Sequence, residues 1–138
     1  MAKAIREVMT QNPSTIEASQ TIIEAAKLMR DEDVGIVPIV DGQKLIGTIT
    51  DRDIAIRVIA EGKDPQTTNV NEIASSNLVT VDPEQDLDEA LRLMASHQVR
   101  RLPVVEEDGR LVGIVAQADV ARYASDQQTG EVVEEISK

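Results

Sequence analysis

The sequence has no cysteine, no tryptophan and no phenylalanine, and it carries one tyrosine, Tyr123, and one histidine, His97. Without cysteine there are no disulfides and no thiolate metal sites, which fits a reducing compartment. With a single histidine besides, a transition-metal site built by the protein alone is not expected. The scarcity of aromatic rings requires an aliphatic core of Val, Ile, Leu, Ala and Met. Any flat ligand must then be gripped by aliphatic side chains and backbone instead of by ring stacking. Positive charge is scarce too: 14 Lys and Arg face 25 Asp and Glu, for a net charge of −11. That balance argues against nucleic acid and anionic lipid, which are bound through Lys and Arg. Small anions stay open, because they respond to a local group of arginines. The N-terminus, MAKAIREVMT, lacks the apolar core of a signal peptide, and no later run approaches membrane-spanning length. A soluble cytoplasmic protein is expected.

What the sequence does have is a repeat. Residues 15–53 and 80–119 carry one pattern at an offset of about 65 residues. Thr15, Gln20, Glu24, Ala25, Leu28, Met29, Val34, Pro38 and Val40 recur as Thr80, Gln85, Glu89, Ala90, Leu93, Met94, Val99, Pro103 and Val105. One extra residue in the second turn shifts the rest, so Leu45, Gly47 and Asp53 match Leu111, Gly113 and Asp119. Units this short rarely bury their own apolar surface, so the copies are expected to pack around a pseudo-two-fold axis, with clefts related by that axis.

Thr21-x-x-Glu24 reads as a capping box, followed by an apolar face of Ile22, Ala25, Ala26 and Met29. Asp86-x-x-Glu89 opens the second helix, whose face is Leu87, Ala90, Leu91 and Met94. Each helix leads into a β-branched strand, Ile36–Val40 or Leu102–Val105, then a glycine turn and a second strand, Leu45–Ile49 or Leu111–Val115. Further helices begin near Asp51 and Ala118, and short strands precede the first helices around Thr15-Ile16 and Leu78–Val81. The result is an α+β chain of two β-α-β-β-α units. Pro38 and Pro103 demote their strands to edges or to incompletely paired strands, which leaves backbone groups free for a ligand. The domains are expected at 1–60 with an N-terminal lead-in and at 70–125, with a linker at 61–69 and an acidic tail at 126–138. In the tail, Val132, Val133 and Ile136 stand at near-helical spacing, consistent with a short docking helix or with disorder.

Val34-Gly-Ile-Val-Pro38-Ile-Val followed by Gly47-Thr-Ile-Thr50-Asp-Arg-Asp53 resembles a CBS (cystathionine β-synthase) domain. His97-Gln-Val-Arg-Arg101-Leu-Pro-Val-Val followed by Gly113-Ile-Val-Ala-Gln-Ala-Asp119 resembles a second. Together they are similar to a stand-alone CBS pair, or Bateman module, over nearly the whole chain. The resemblance implies tandem CBS domains with two inter-domain clefts, a homodimer, and an adenosine-containing ligand such as AMP, ADP, ATP, NAD or S-adenosylmethionine. It implies a sensor of a regulated protein that the sequence does not name, with no required cofactor and no catalysis.

The chemistry of Gly47–Asp53 fits such a ligand. One carboxylate accepts from both hydroxyls of a ribose, which suits Asp53. Thr50, with Thr48 on the same side of the strand, stands where a helix mouth faces phosphate. Thr50-x-x-Asp53 is equally a helix capping box. The second copy keeps Asp119 but has Ala116 in place of the capping threonine, and within the repeat this favours ligand binding. The resemblance completes the first site with Leu78, Val79 and Arg101, where the aliphatic pair clamps an adenine and the guanidinium meets phosphate. It builds a weaker second site from Ile114, Asp119 and Arg100 with Pro13, Ser14 and Ile36. Taken without the repeat, Arg100-Arg101 reads as a solvated pair, and His97 as a helix-end residue. A regulatory adenosine-binding module is the leading function. An enzyme is disfavoured, since no nucleophile–base pair or metal cluster is visible. A structural or interaction module with degenerate sites is the alternative.

Overall fold

The computed structural model describes residues 3–123, and the acidic tail lies outside them. The chain divides into two compact units that interleave along the sequence. The first-copy unit holds 14–78 and 108–111, and the second-copy unit holds 3–13, 79–107 and 112–123. No described helix is long and apolar enough to cross a membrane.

In the first-copy unit, β2 (Ile16–Glu17) leads to α1 (Ile22–Glu32), then to the hairpin β3 (Ile36–Asp41) and β4 (Lys44–Thr50). Helix α2 (Asp51–Asp53) continues as a π-helix over Ile54–Ile59, and α3 (Val70–Ile73) follows. The sheet order is β2-β3-β4. Ile16, Ile22, Ala25, Met29, Val37, Ile39, Ile49, Val58, Val70 and Ile73 form its core. The second-copy unit holds a 3-10 turn (Ile5–Glu7), β1 (Thr10–Gln11), α4 (Leu87–His97), β5 (Arg101–Val105), β6 (Leu111–Ala116) and helical backbone from 117 to 123. Its sheet order is β1-β6-β5. Ile5, Val81, Leu87, Ala90, Met94, Leu102, Val104, Val115 and Val120 form a second core.

Each apolar face expected on the long helices is turned inward: Ile22, Ala25 and Met29 on α1, and Leu87, Ala90 and Met94 on α4. The helix starts differ. In α1 the capping box closes, with Thr21 Oγ1 accepting from the Glu24 N–H and Glu24 Oε1 accepting from the Thr21 N–H, both at 3.4 Å. In α4 Asp86 accepts from the Asp88 N–H at 3.1 Å, while Glu89 turns away to Arg92 at 2.5 and 3.0 Å. Asp86 thus opens α4 as its N-cap, without the reciprocal box of α1. A charge-assisted fork to a guanidinium one turn on outcompetes a neutral backbone N–H, whereas the first copy has Lys27 at that place.

Hydrogen bonds from the Gln20 amide, and then from the Thr21 backbone and hydroxyl, hold the Glu24 carboxyl below its ordinary range. A carboxyl depressed in the fold contributes stability above its unfolded pKa, and that stability is lost as pH falls through the folded value. Glu24→Gln should therefore lower the thermal midpoint at neutral pH, and the gap to the parent should close on acidification. A gap independent of pH would show that the ionised carboxylate is not what matters.

Both long helices end alike. Asp33 and Gln98 adopt left-handed backbone (φ 54° and 55°), and the next N–H reaches back to Met29 or Met94 at 3.0 Å. Glutamine bears a Cβ penalty there that aspartate partly escapes. Gln98→Gly should raise stability by about 1 kcal/mol in urea unfolding, and Asp33→Gly by less.

The two proline strands take the two expected forms: β5 lies at the edge of its sheet, whereas β3 is central but paired by the two-residue β2 only from Ile39 onward, beyond its proline. The second unit shows the reason. Val81 donates to the Pro103 carbonyl at 3.1 Å and accepts from Val105 at 2.9 Å. This parallel partner begins beyond the proline nitrogen, so the missing N–H forfeits no bond, and the strand is incompletely paired only there. The Pro103 carbonyl is engaged instead of open to a ligand. The expected strand over Leu78–Val81 reduces to this one bridge at Val81.

The repeat reaches further back than its identities show. The Ile5 N–H donates to Gln85 and the Val70 N–H to Gln20, both at 2.8 Å. Ala4 bridges Asp86 as Asn69 bridges Thr21. Residues 3–13 and 68–78 are thus one element used twice, each packed in the unit of the other copy's helices and hairpin. Each also lies along the hairpin's second strand, which explains the repeated glycine. A Cβ on Gly47 would stand 3.0 Å from the Ser75 carbonyl oxygen, and one on Gly113 would stand 2.9 Å from that of Thr10.

Candidate functional site

Each unit has one strand-to-helix junction where chemistry-bearing residues gather. In the first-copy unit, Val37, Ile39 and Ile49 fill the core. Alternation therefore turns Ile36, Pro38, Thr48 and Thr50 to the other face, where Ile36 opposes Thr50 and Pro38 opposes Thr48. Ile36, Thr48 and Thr50 are half-buried. Thr50 caps α2: its Oγ1 accepts from the Asp53 N–H at 3.0 Å, and Asp53 Oδ2 accepts from the Thr50 N–H at 2.9 Å. The capping box is fully formed. It still leaves the second carboxylate oxygen of Asp53 and the Thr50 hydroxyl proton available, so capping and ligand binding do not compete for the same atoms. The Thr48 backbone is used on both sides by Ser75, at 3.0 and 3.1 Å, which leaves its hydroxyl as the group on offer.

In the second-copy unit, Leu102, Val104 and Val115 point into the core, which puts Arg101, Ile114 and Ala116 on the opposite face. A cavity of about 500 Å³ is lined by Arg100, Arg101, Ala116, Gln117, Ala118 and Ala121. Two of the lining residues are joined through the backbone, the Gln117 N–H donating to the Arg100 carbonyl at 2.7 Å. The equivalent bond in the other unit runs from Asp51 to Gly35 at 3.0 Å. Arg100 and Arg101, assigned by the resemblance to different sites, thus share one cavity. Asp119 is three-quarters buried, has no capping partner at Ala116, and stands 3.9 Å from Arg122 Nη1.

The remaining expected site residues lie at the unit boundaries. Pro13 and Val79 belong to the second-copy unit, and Ser14 and Leu78 to the first. Pro13, Leu78 and Val79 are half-buried, and the Ser14 hydroxyl donates to Glu32 Oε1 at 2.6 Å. The described residues include no cluster of three or more His, Asp or Glu that could hold a metal ion. Gln117, Ala118 and Ala121 were not among the expected residues. Their signal in the sequence is the match of 116–121 to 50–55, where alanine replaces threonine and arginine and glutamine replaces the first aspartate.

Two interleaved α+β units, each with a strand-to-helix junction on the face opposite its core, define a tandem repeat module. The family model "CBS domain" matches residues 5–60 and again 70–126, and the chain belongs to the CBS domain family. It is 44% identical over 135 residues to CBS domain-containing protein YhcV of Bacillus subtilis (strain 168), covering 97% of this chain and 95% of that one. Among solved structures it is similar to the CBS domain pair of protein MJ0100 in complex with 5'-methylthioadenosine and S-adenosyl-L-methionine. That match has a TM-score of 0.79 and 29% identity, over 92% of this chain and 99% of that one. It is also similar to CBSX2 in complex with AMP, with a TM-score of 0.79 and 25% identity, over 91% and 98% of the two chains.

Proposed function

We propose that this chain is a non-catalytic regulatory module that binds an adenosine-containing ligand and signals by a change of conformation or assembly. The observation that carries the reading is its likeness, along nine-tenths of its length, to CBS pairs solved with AMP and with S-adenosylmethionine. The chemistry of the two junctions supports it. Asp53 and the Thr48 and Thr50 hydroxyls offer the acceptors and donors that a ribose and its phosphate need, and Leu78 and Val79 offer aliphatic surface for adenine. Arg100 and Arg101 offer forked donors to phosphate. The junction with Asp119 and Ile114 is the weaker for ribose, because Ala116 has no hydroxyl. We read the working form as a homodimer, for which Ile56 and Ile59, 44% and 60% exposed on one helix, supply apolar contact surface. A regulated partner then reads the change, which requires the ligand to bind the two states unequally.

A thermal-shift panel of AMP, ADP, ATP, NAD and S-adenosylmethionine tests this. At about 100 times its Kd a ligand should stabilise the fold by roughly 2.7 kcal/mol. A panel in which no adenosine compound moves the midpoint would leave the alternative, an interaction module with degenerate sites.

A further inference from the structure

The two copies part directly after their junctions. In the second copy, 117–123 is wound as a regular α-helix. In the first, the chain after Asp53 opens into the wide turn of Ile54–Ile59. There the Ala60 and Lys63 N–H groups donate to carbonyls five residues back, those of Ala55 and Val58, both at 2.9 Å. Wide turns are rare and gather at functional sites. Within this one Arg57 reaches across to α3, where its Nη1 donates to the Ile73 carbonyl. Helix α3 has four residues, and Ala74 leaves helical geometry after it (φ −53°, ψ 142°), so its last carbonyls lack helical partners. A cation suits such an end. By the offset of the copies the counterpart of Arg57 is Tyr123, which packs against the second core and offers no guanidinium.

Ile73 stands two residues before Ser75, and Ser75 exchanges both backbone hydrogen bonds with Thr48, at 3.0 and 3.1 Å. There is no slack between this segment and β4. Ile73 is buried in the first-copy core, and a Cβ on Gly47 would stand 3.1 Å from the Ala74 Cβ and 3.0 Å from the Ser75 carbonyl oxygen. Close-packed groups transmit a displacement instead of absorbing it, so a shift at Ile73 is felt at Thr48. The bond from Arg57 therefore closes a ring inside the first-copy unit. The ring runs from Thr48 through Thr50 and Asp53 into the wide turn, across Arg57 to Ile73, and back through Ser75 to Thr48. The three side chains that the junction offers, Thr48, Thr50 and Asp53, all belong to it.

We propose that Arg57 is a positioning residue for the first-copy junction. Its bond to Ile73 fixes Thr48 relative to Thr50 and Asp53, and a ligand held by those three groups tightens the wide turn in return. The proposal rests on the reading of these groups as ligand contacts. The return effect follows from linkage, because a brace that favours the ligand is favoured by it to the same extent. Ile56 and Ile59 lie in the turn that is tightened and are exposed, so occupancy of the junction reaches the apolar surface of the same helix.

The test compares the full-length parent with Arg57→Met, Arg57→Lys and, as a control in the same unit, Glu24→Gln. Amide hydrogen exchange is followed at Thr48, Ser75, Ala60 and Lys63, and AMP and S-adenosylmethionine are titrated calorimetrically. Arg57→Met should speed exchange at Thr48 and Ser75 more than Glu24→Gln does. It should weaken the compound that binds by about fivefold or more. It should also remove the slowing of exchange that this compound imposes on Ala60 and Lys63 in the parent. Arg57→Lys keeps a charged donor and should recover part of each effect, whereas Glu24→Gln should leave affinity within about twofold. An Arg57→Met protein that binds as tightly as the parent would overturn the positioning role, whatever its stability. Unchanged exchange at Thr48 and Ser75 would overturn it too. Faster exchange there in Arg57→Met, with neither compound bound by the parent, would uphold the brace and sink the ligand reading.

Discussion

Replacing Leu87 by alanine should destabilise the second-copy unit by about 2–5 kcal/mol. Leu87 opens α4 with no exposed surface, and it packs among Ile5, Val81, Leu102 and Val104. The loss has two parts: the transfer free energy of the deleted carbons, and the cavity that a core built without large rings cannot readily refill. Against a total of about 5–15 kcal/mol for an ordinary domain, this is a large fraction. Tyr123 is the chain's one aromatic residue and packs against the same core, so tyrosine fluorescence in urea reports this unit specifically. The counterpart Ile22, equally buried in the first-copy core, supplies the graded control. Ile22→Val should cost about 0.5–1.5 kcal/mol by far-UV circular dichroism. A tyrosine transition that Leu87→Ala leaves in place would mean that α4 is not docked as described.

The long helices and hairpins were legible because two independent copies of one pattern constrain each other. An apolar stripe at Ile22, Ala25 and Met29 gains weight when Leu87, Ala90 and Met94 repeat it, and burial follows both. The exchange of residues 3–13 and 68–78 was not legible from identities, because likeness there is by class: Ile5 with Val70, Val8 with Ile73, Thr10 with Ser75. Only Glu7 and Asn12 recur unchanged, as Glu72 and Asn77. The prolines were legible as edge or incompletely paired strands, but not which form each takes: β5 is an edge and β3 is central. A strand rule counts lost N–H bonds, and a partner as short as Val81 never asks for the one that proline lacks. At the site, residue chemistry pointed to Thr50, Asp53 and the arginines, but which groups share a cavity depends on hairpin register. Ile36 opposes Thr50 across the first hairpin, and their counterparts Arg101 and Ala116 line one cavity. Sequence alone holds the offset of the copies but not that register.

The decisive variant for the proposed function is Asp53→Asn, because it separates the two roles the carboxylate can play. As a cap, Asp53 needs one oxygen to accept from the Thr50 N–H, and an asparagine carbonyl supplies that. As a ribose acceptor it needs its charge and its other oxygen, and asparagine presents an N–H₂ donor there instead. The stability of the ligand-free protein should therefore change little in Asp53→Asn, whereas Asp53→Ala should lose about 0.5–2 kcal/mol with the box. The ligand response should fall in both. A hydrogen bond to a charged group contributes about 1.5–3 kcal/mol. A ligand that gives the parent roughly 2.7 kcal/mol should then give Asp53→Asn only about 0.3–1.3 kcal/mol at the same concentration. Asp119→Asn is the internal comparison. With Ala116 in place of the threonine there is no box to preserve, and the expected change in response is smaller because the second junction offers ribose fewer partners. An Asp53→Asn protein that keeps the full response, while Asp53→Ala loses stability, would assign the carboxylate to helix capping alone.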